Sequence, residues 1–197
     1  METKLRIIDL LEKRTEGMHM RGLSRELDTG LMNVSRHAAA LQKEGVIKRQ
    51  KVANTVNLTL RESQRTIAYL KQANIERFLA LPRNIQAAAA DFLTELGQKP
   101  LIALIFGSYA KKNYTAGSDI DILLVFQKVE NKESIENTAK RISMRTNTRI
   151  SPVYTDFKSF EKNFLDRGHD FSKEIRHASI VLSGTELYYP LVWRLNR

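Results

Sequence analysis

The chain has 197 residues, 42% of them hydrophobic and 27% charged, which is enough apolar material for one large or two small packed domains. It contains no cysteine, which excludes disulfides and thiolate metal centres, and no apolar run near the roughly 20 residues that would span a bilayer. The formal net charge of +10 favours polyanionic partners such as nucleic acid or nucleotides, and the opening Met1-Glu2-Thr3-Lys4 has no signal-peptide apolar region, so a cytoplasmic location and no membrane partner are expected.

In the first third of the chain, Leu5, Ile7, Ile8, Leu10 and Leu11 give one apolar face to a helix from about residue 3 to 14, with Gly17 as its C-terminal stop. A second helix is expected over 20–27, with Leu23 and Leu27 spaced i,i+4. A third is expected over 32–44, with Val34, Ala38 and Leu41 inward and Asn33, Ser35 and Arg36 elsewhere. Two β-rich segments, 46–49 and 55–60, are joined by residues 50–54 and read as a hairpin. Three helices, the third of them polar, followed by a hairpin, resemble the winged helix-turn-helix family. Val34-Ser35-Arg36-His37 looks like its recognition helix, and Leu41 through Ile47 looks like the entry to its wing. The resemblance implies double-stranded DNA as a partner. Asn33, Ser35, Arg36 and His37 would face the major groove, and Lys48, Arg49 and Lys51 would meet phosphate.

Residues 62–99 carry no strand signal. Ile67, Leu70, Ile75, Phe78, Leu79 and Leu81 mark one amphipathic helix broken at Pro82. Ile85, Ala88, Ala89, Phe92, Leu93 and Leu96 mark a second, ended by Gly97. These helices are expected to connect two domains and to offer a surface for a homodimer.

The chemistry concentrates further on. Two apolar runs of strand length, 101–106 and 122–126, frame Gly107-Ser108-Tyr109-Ala110-Lys111-Lys112 and Ser118-Asp119-Ile120-Asp121. Side chains alternate across a strand, so Asp119 and Asp121 share a face. Two adjacent carboxylates repel each other unless a cation sits between them. Mg²⁺ fits that need, because it takes oxygen ligands and keeps positions for phosphate oxygens. Gly107 lets the backbone approach a ligand closely, and the Ser108 hydroxyl with nearby amides can hold a phosphate. Lys111 can neutralise a triphosphate. Ser118 either helps hold phosphate or caps the turn into the strand.

Gly-Ser, then ten residues, then Asp-x-Asp at the head of the next strand resembles the polymerase-β-type nucleotidyltransferase superfamily, in particular its minimal branch. The resemblance implies an α/β domain with a mixed sheet and flanking helices over 100–190, following a winged-helix domain over 1–61 and a helical connector over 62–99. It also implies an enzyme that moves a nucleoside monophosphate from an NTP to a hydroxyl on a protein or RNA acceptor. Asp119 and Asp121 would be catalytic and hold Mg²⁺, while Gly107, Ser108, Lys111 and Ser118 would bind the nucleotide.

A third carboxylate is expected in that superfamily on the strand beside Asp-x-Asp. Here the strand over 149–154 offers Ser151 next to Pro152, and the nearest acid is Asp156, which also reads as first-turn charge of a helix over 157–165 with Thr155 as its cap. Glu130 and Glu133 are more distant alternatives. Lys140, Arg141, Arg145 and Arg149 are expected to form a basic surface. The missing acid leaves a second reading open, a DNA-binding regulator or antitoxin-like protein whose transferase domain binds nucleotide with little turnover.

Overall fold

The computed structural model describes residues 2–52 and 55–195. It divides into two compact units, one running to Glu76 and the other from Arg77 to Leu195.

In the first unit, helices α1 (Thr3–Lys13), α2 (Met20–Glu26) and α3 (Leu31–Lys43) surround a core that includes Ile7, Ile8, Leu23, Val34, Ala38 and Leu41. Two strands form the hairpin, β2 (Ile47–Val52) and β3 (Thr55–Leu60). Strand β3 also pairs with β1 (Met18–His19), a two-residue strand too short to leave a periodic signal, so the sheet order is β1-β3-β2. The expected connector 50–54 is strand as far as Val52, and its last two residues lie outside the described set. Helix α4 (Gln64–Leu79) begins within this unit. The Tyr69 hydroxyl donates to Glu44 Oε2 at 2.5 Å, Lys4 Nζ donates to Glu44 Oε1 at 2.8 Å, and Thr66 donates to the Val46 carbonyl at 3.3 Å. The hydrogen bond from Lys4, reinforced by Tyr69, holds the Glu44 carboxyl below its ordinary range. Ile75 and Leu79, placed by spacing on the apolar stripe, are 50% and 57% exposed.

The second unit opens with α5 (Arg83–Glu95), whose Ile85, Ala88, Ala89 and Phe92 are buried. A four-stranded sheet follows, built from β4 (Ile102–Ile105), β5 (Ile120–Phe126), β6 (Ile150–Asp156) and β7 (Ile180–Ser183) in the order β6-β5-β4-β7. Strand β4 runs antiparallel to β5 and β7, while β5 and β6 are parallel and joined through α7 (Lys132–Thr146). A crossover helix between parallel neighbours is the ordinary βαβ solution. Strand β4 is buried along its whole length, as a strand covered on both faces should be. Ile120, Ile122, Leu124 and Phe126 join α5 and α7 in one core cluster. Alternation therefore turns residues 119, 121, 123 and 125 to the opposite face, where α8 (Phe157–Leu165) packs on β5 and β6, and α10 (Thr185–Leu195) packs on β4. Between α8 and β7 lies α9 (Asp170–His177), and the His169 ring caps its start by accepting from the Ser172 amide at 3.2 Å.

Two further features differ from expectation. Helix α10 was not anticipated, because Pro190 inside it reads as a breaker. The basic surface is partly neutralised, since Arg145 donates to Asp91 and Glu95, at 2.7 Å each, and Arg141 pairs with Glu95. Gly184, between β7 and α10, holds φ +77°, and a Cβ there would lie 2.1 Å from the Leu101 carbonyl oxygen. Backbone cannot yield as a side chain can. Gly184→Ala should therefore lower stability by more than the about 1–2 kcal/mol of left-handed strain alone, read as a fall in the urea midpoint.

Candidate active site

The site forms where the end of β4 meets the start of β5. Antiparallel pairing sets Ile105 opposite Ile122, and the Phe106 amide donates to the Asp121 carbonyl at 3.0 Å. The chain then turns into a short helix, α6 (Gly107–Lys111), immediately beside the Asp121 side chain. Gly107 holds φ +66°, and a Cβ on it would fall 2.1 Å from Asp121 Oδ2. Any larger residue would displace this carboxylate, so the glycine sets how closely backbone and acid approach.

Asp119 and Asp121 lie on one face, as alternation requires. The Asp121 carboxyl is pushed above its ordinary range, first by burial, then by the negative charges of Asp119 and Glu174, with Lys111 opposing. Burial is the larger part of this shift, and the neighbouring acids add to it. Among the described residues no group of three or more acidic, histidine or cysteine side chains forms a metal cage. A donor set of two adjacent carboxylates suits a hard ion that draws its remaining ligands from phosphate and water.

The other expected nucleotide contacts are distributed unevenly. Ser108 is half-buried in the first turn of α6. Lys111 Nζ pairs with Glu174 Oε1 on α9 at 2.5 Å. The Ser118 hydroxyl accepts from the Thr115 amide at 2.9 Å, and the Ser118 amide donates to the Thr115 carbonyl at 3.1 Å, so Ser118 closes the turn before Asp119. The same loop is braced by Tyr114, which stacks on buried Tyr109 with ring centroids 4.5 Å apart.

Strand β6 supplies no acid beside the Asp119 and Asp121 pair. Its parallel register sets Ser151 beside Asp121, and the Ile120 amide donates to the Arg149 carbonyl at 2.8 Å, which sets Arg149 beside Asp119. Arg149 Nε lies 3.4 Å from Asp119 Oδ2. Asp156 pairs with Phe126 at the far end of β6, five residues beyond Ser151 or about 16 Å along a strand. Its side chain accepts from the Ser159 amide at 2.9 Å, so Asp156, rather than Thr155, caps α8 and does not reach the acidic pair. Glu130 and Glu133 follow that same distant end of β5. Glu174 and Arg149 are the charged neighbours that sequence reasoning missed. Arg149 could have been found by extending the strand register back two residues from Ser151. Glu174 carries no local signal, because its approach depends on how α9 packs.

In the first unit, burial of Val34, Ala38 and Leu41 turns the other sides of α3 outward. Arg36 is exposed and donates to Asn33 Oδ1 at 2.9 Å, Asn33 donates to Thr29 Oγ1 at 3.2 Å, and Ser35 and His37 are half-buried. Lys48, Arg49 and Lys51 are exposed on β2, an edge strand of its sheet. Alternation sets Arg49 and Lys51 on one face and Lys48 on the other.

Comparison with known proteins agrees with this geometry. The family described as "Polymerase beta, Nucleotidyltransferase" matches residues 90–174, a span that contains α6, both aspartates and β6. A Methanocaldococcus jannaschii protein that carries the name "Putative protein adenylyltransferase" is 30% identical over 88 residues, covering 43% of this chain and 88% of the relative. The chain belongs to the polymerase-β-type nucleotidyltransferase superfamily. No described helix is long and apolar enough to cross a membrane.

Proposed function

We propose that the second unit transfers a nucleoside monophosphate from an NTP to a hydroxyl with the help of Mg²⁺. Its relative's name favours an adenylyl group and a protein acceptor. The observation that carries this reading is the pair Asp119 and Asp121 on one strand face, with the Asp121 carboxyl set against a glycine turn whose missing side chain makes the approach possible. When bound, Mg²⁺ neutralises triphosphate charge and polarises the reacting phosphoryl group. Asp119 and Asp121 hold it. Gly107 and Ser108 receive the phosphates, and Lys111 moves from Glu174 to a phosphate oxygen. The acceptor oxygen bonds to the α-phosphorus, the bond to the pyrophosphate oxygen breaks, pyrophosphate leaves, and the hydroxyl proton passes to solvent. Orientation and charge neutralisation then supply most of the acceleration. Incubating the chain with each α-labelled NTP, Mg²⁺ and cell lysate tests this. Label on a macromolecule is expected, and its absence with all four NTPs would sink the proposal.

The domain reading that accompanies it is a winged helix over 1–61, a connector over 62–99 and the transferase over 100–190. DNA binding by the first domain would use Asn33, Ser35, Arg36 and His37 for the groove, with Lys48, Arg49 and Lys51 for phosphate. A regulator or antitoxin-like protein with slow turnover is supported by the lack of an acid on β6 beside Asp121. If Arg36, Lys48, Arg49 and Lys51 each meet a phosphate, affinity for duplex DNA should fall by about 10²-fold between 50 and 200 mM salt. Gel retardation measures this, and replacing Lys48, Arg49 and Lys51 together should flatten the salt dependence. No retardation at low salt would reject DNA binding.

A further inference from the structure

We infer that Arg149 is the resident cation of this centre, standing beside Asp119 in place of a second divalent ion, so that the site takes one metal ion with its nucleotide. The inference rests on the transferase reading above and specifies its substrate complex. Register places Arg149 directly across from Asp119, because the Arg149 carbonyl accepts from the Ile120 amide at 2.8 Å. Its Nε stands 3.4 Å from Asp119 Oδ2, with the arginine side chain 78% exposed and that of Asp119 33% exposed.

On this face Arg149, just ahead of β6, is followed by Ser151 and Val153 of the strand, so a cation, a hydroxyl and an apolar group succeed one another. A second divalent ion next to Asp119 would therefore meet a guanidinium instead of a carboxylate. The remaining acid that influences Asp121, Glu174, is tied to Lys111 at 2.5 Å. Asp156 is about 16 Å along the strand from Ser151. Two negative charges with one adjacent positive charge suffice for a single Mg²⁺ once phosphates complete its shell.

The contact with Asp119 is made through Nε, so the terminal N–H groups of the guanidinium remain to be used. Their planar fork matches a phosphate, and an arginine so exposed can turn onto a non-bridging oxygen of the bound nucleotide without repacking. Arg149 thereby combines two roles, neutralising Asp119 and contacting the bound nucleotide.

The test counts Mn²⁺ by electron paramagnetic resonance, using the full chain in excess over a non-hydrolysable α,β-methylene ATP analogue. The wild type should hold one ion per nucleotide complex. The double variant Arg149→Met, Ser151→Asp, which removes the cation and supplies a carboxylate beside Asp121, should hold two. Two ions in the wild type, or one in the double variant shown by circular dichroism to be folded, would overturn the assignment of Arg149. No protein-bound ion in the wild type would instead overturn the transferase reading itself, and this inference with it.

Discussion

Asp121→Asn is expected to lower transfer by about 10²–10³-fold, the scale of losing a preorganised electrostatic contact to the reacting group, while raising the melting temperature. The two effects have one cause. Asp121 is partly buried, faces Asp119 and Glu174, and has its carboxyl raised above the ordinary range. Between the ordinary pKa and that raised value, the folded state binds more protons than the unfolded one. Stability therefore falls as pH rises through this window, and the penalty is fully present above the raised value. Asparagine keeps the shape and removes the charge, so it relieves the penalty and abolishes the ligand. Thermal melts in EDTA at pH 7, beside an activity assay, check both halves. A variant that is less stable and equally active would contradict the assignment.

Gly107→Ala should be nearly as damaging. The left-handed backbone at φ +66° alone costs about 1–2 kcal/mol for a residue with a Cβ. The new carbon would also sit 2.1 Å from Asp121 Oδ2, so the carboxylate must move. A displacement on the order of 1 Å at a reacting centre costs about 10²-fold in rate. Gly117 lies in the loop just before Ser118, and a Cβ there would meet nothing within 4 Å. Gly117→Ala is accordingly expected to leave turnover and stability unchanged. Steady-state kinetics with thermal melts distinguish the pair, and equal behaviour of the two alanines would show that the Gly107–Asp121 approach is unimportant.

Local signals made much of this legible from the sequence. The i,i+3/i+4 stripes in α1, α3 and α5 gave those helices to within a residue or two, because each buries the side its spacing marks. Strand alternation set Asp119 and Asp121 on one face, and the Gly-Ser turn fell beside them. What stayed hidden depends on tertiary packing. β1 is two residues long and exists through its pairing with β3. In α10, Pro190 sits within the helix, while Tyr188, Tyr189 and Leu191 around it are buried. Tertiary packing can outweigh a local breaker. The Lys111–Glu174 pair joins residues 63 apart in sequence. Sequence proximity groups Arg149 with the basic residues of α7, two of which are bound to Glu95, whereas Arg149 itself faces Asp119.

The most direct measurement is a crystal structure of the chain with Mn²⁺ and a non-hydrolysable NTP, using anomalous scattering to locate the ion. An anomalous peak beside the Asp119 and Asp121 carboxylates is expected, with the triphosphate against Gly107 and Ser108. A triphosphate bound elsewhere, or carboxylates turned apart with no ion between them, would contradict it.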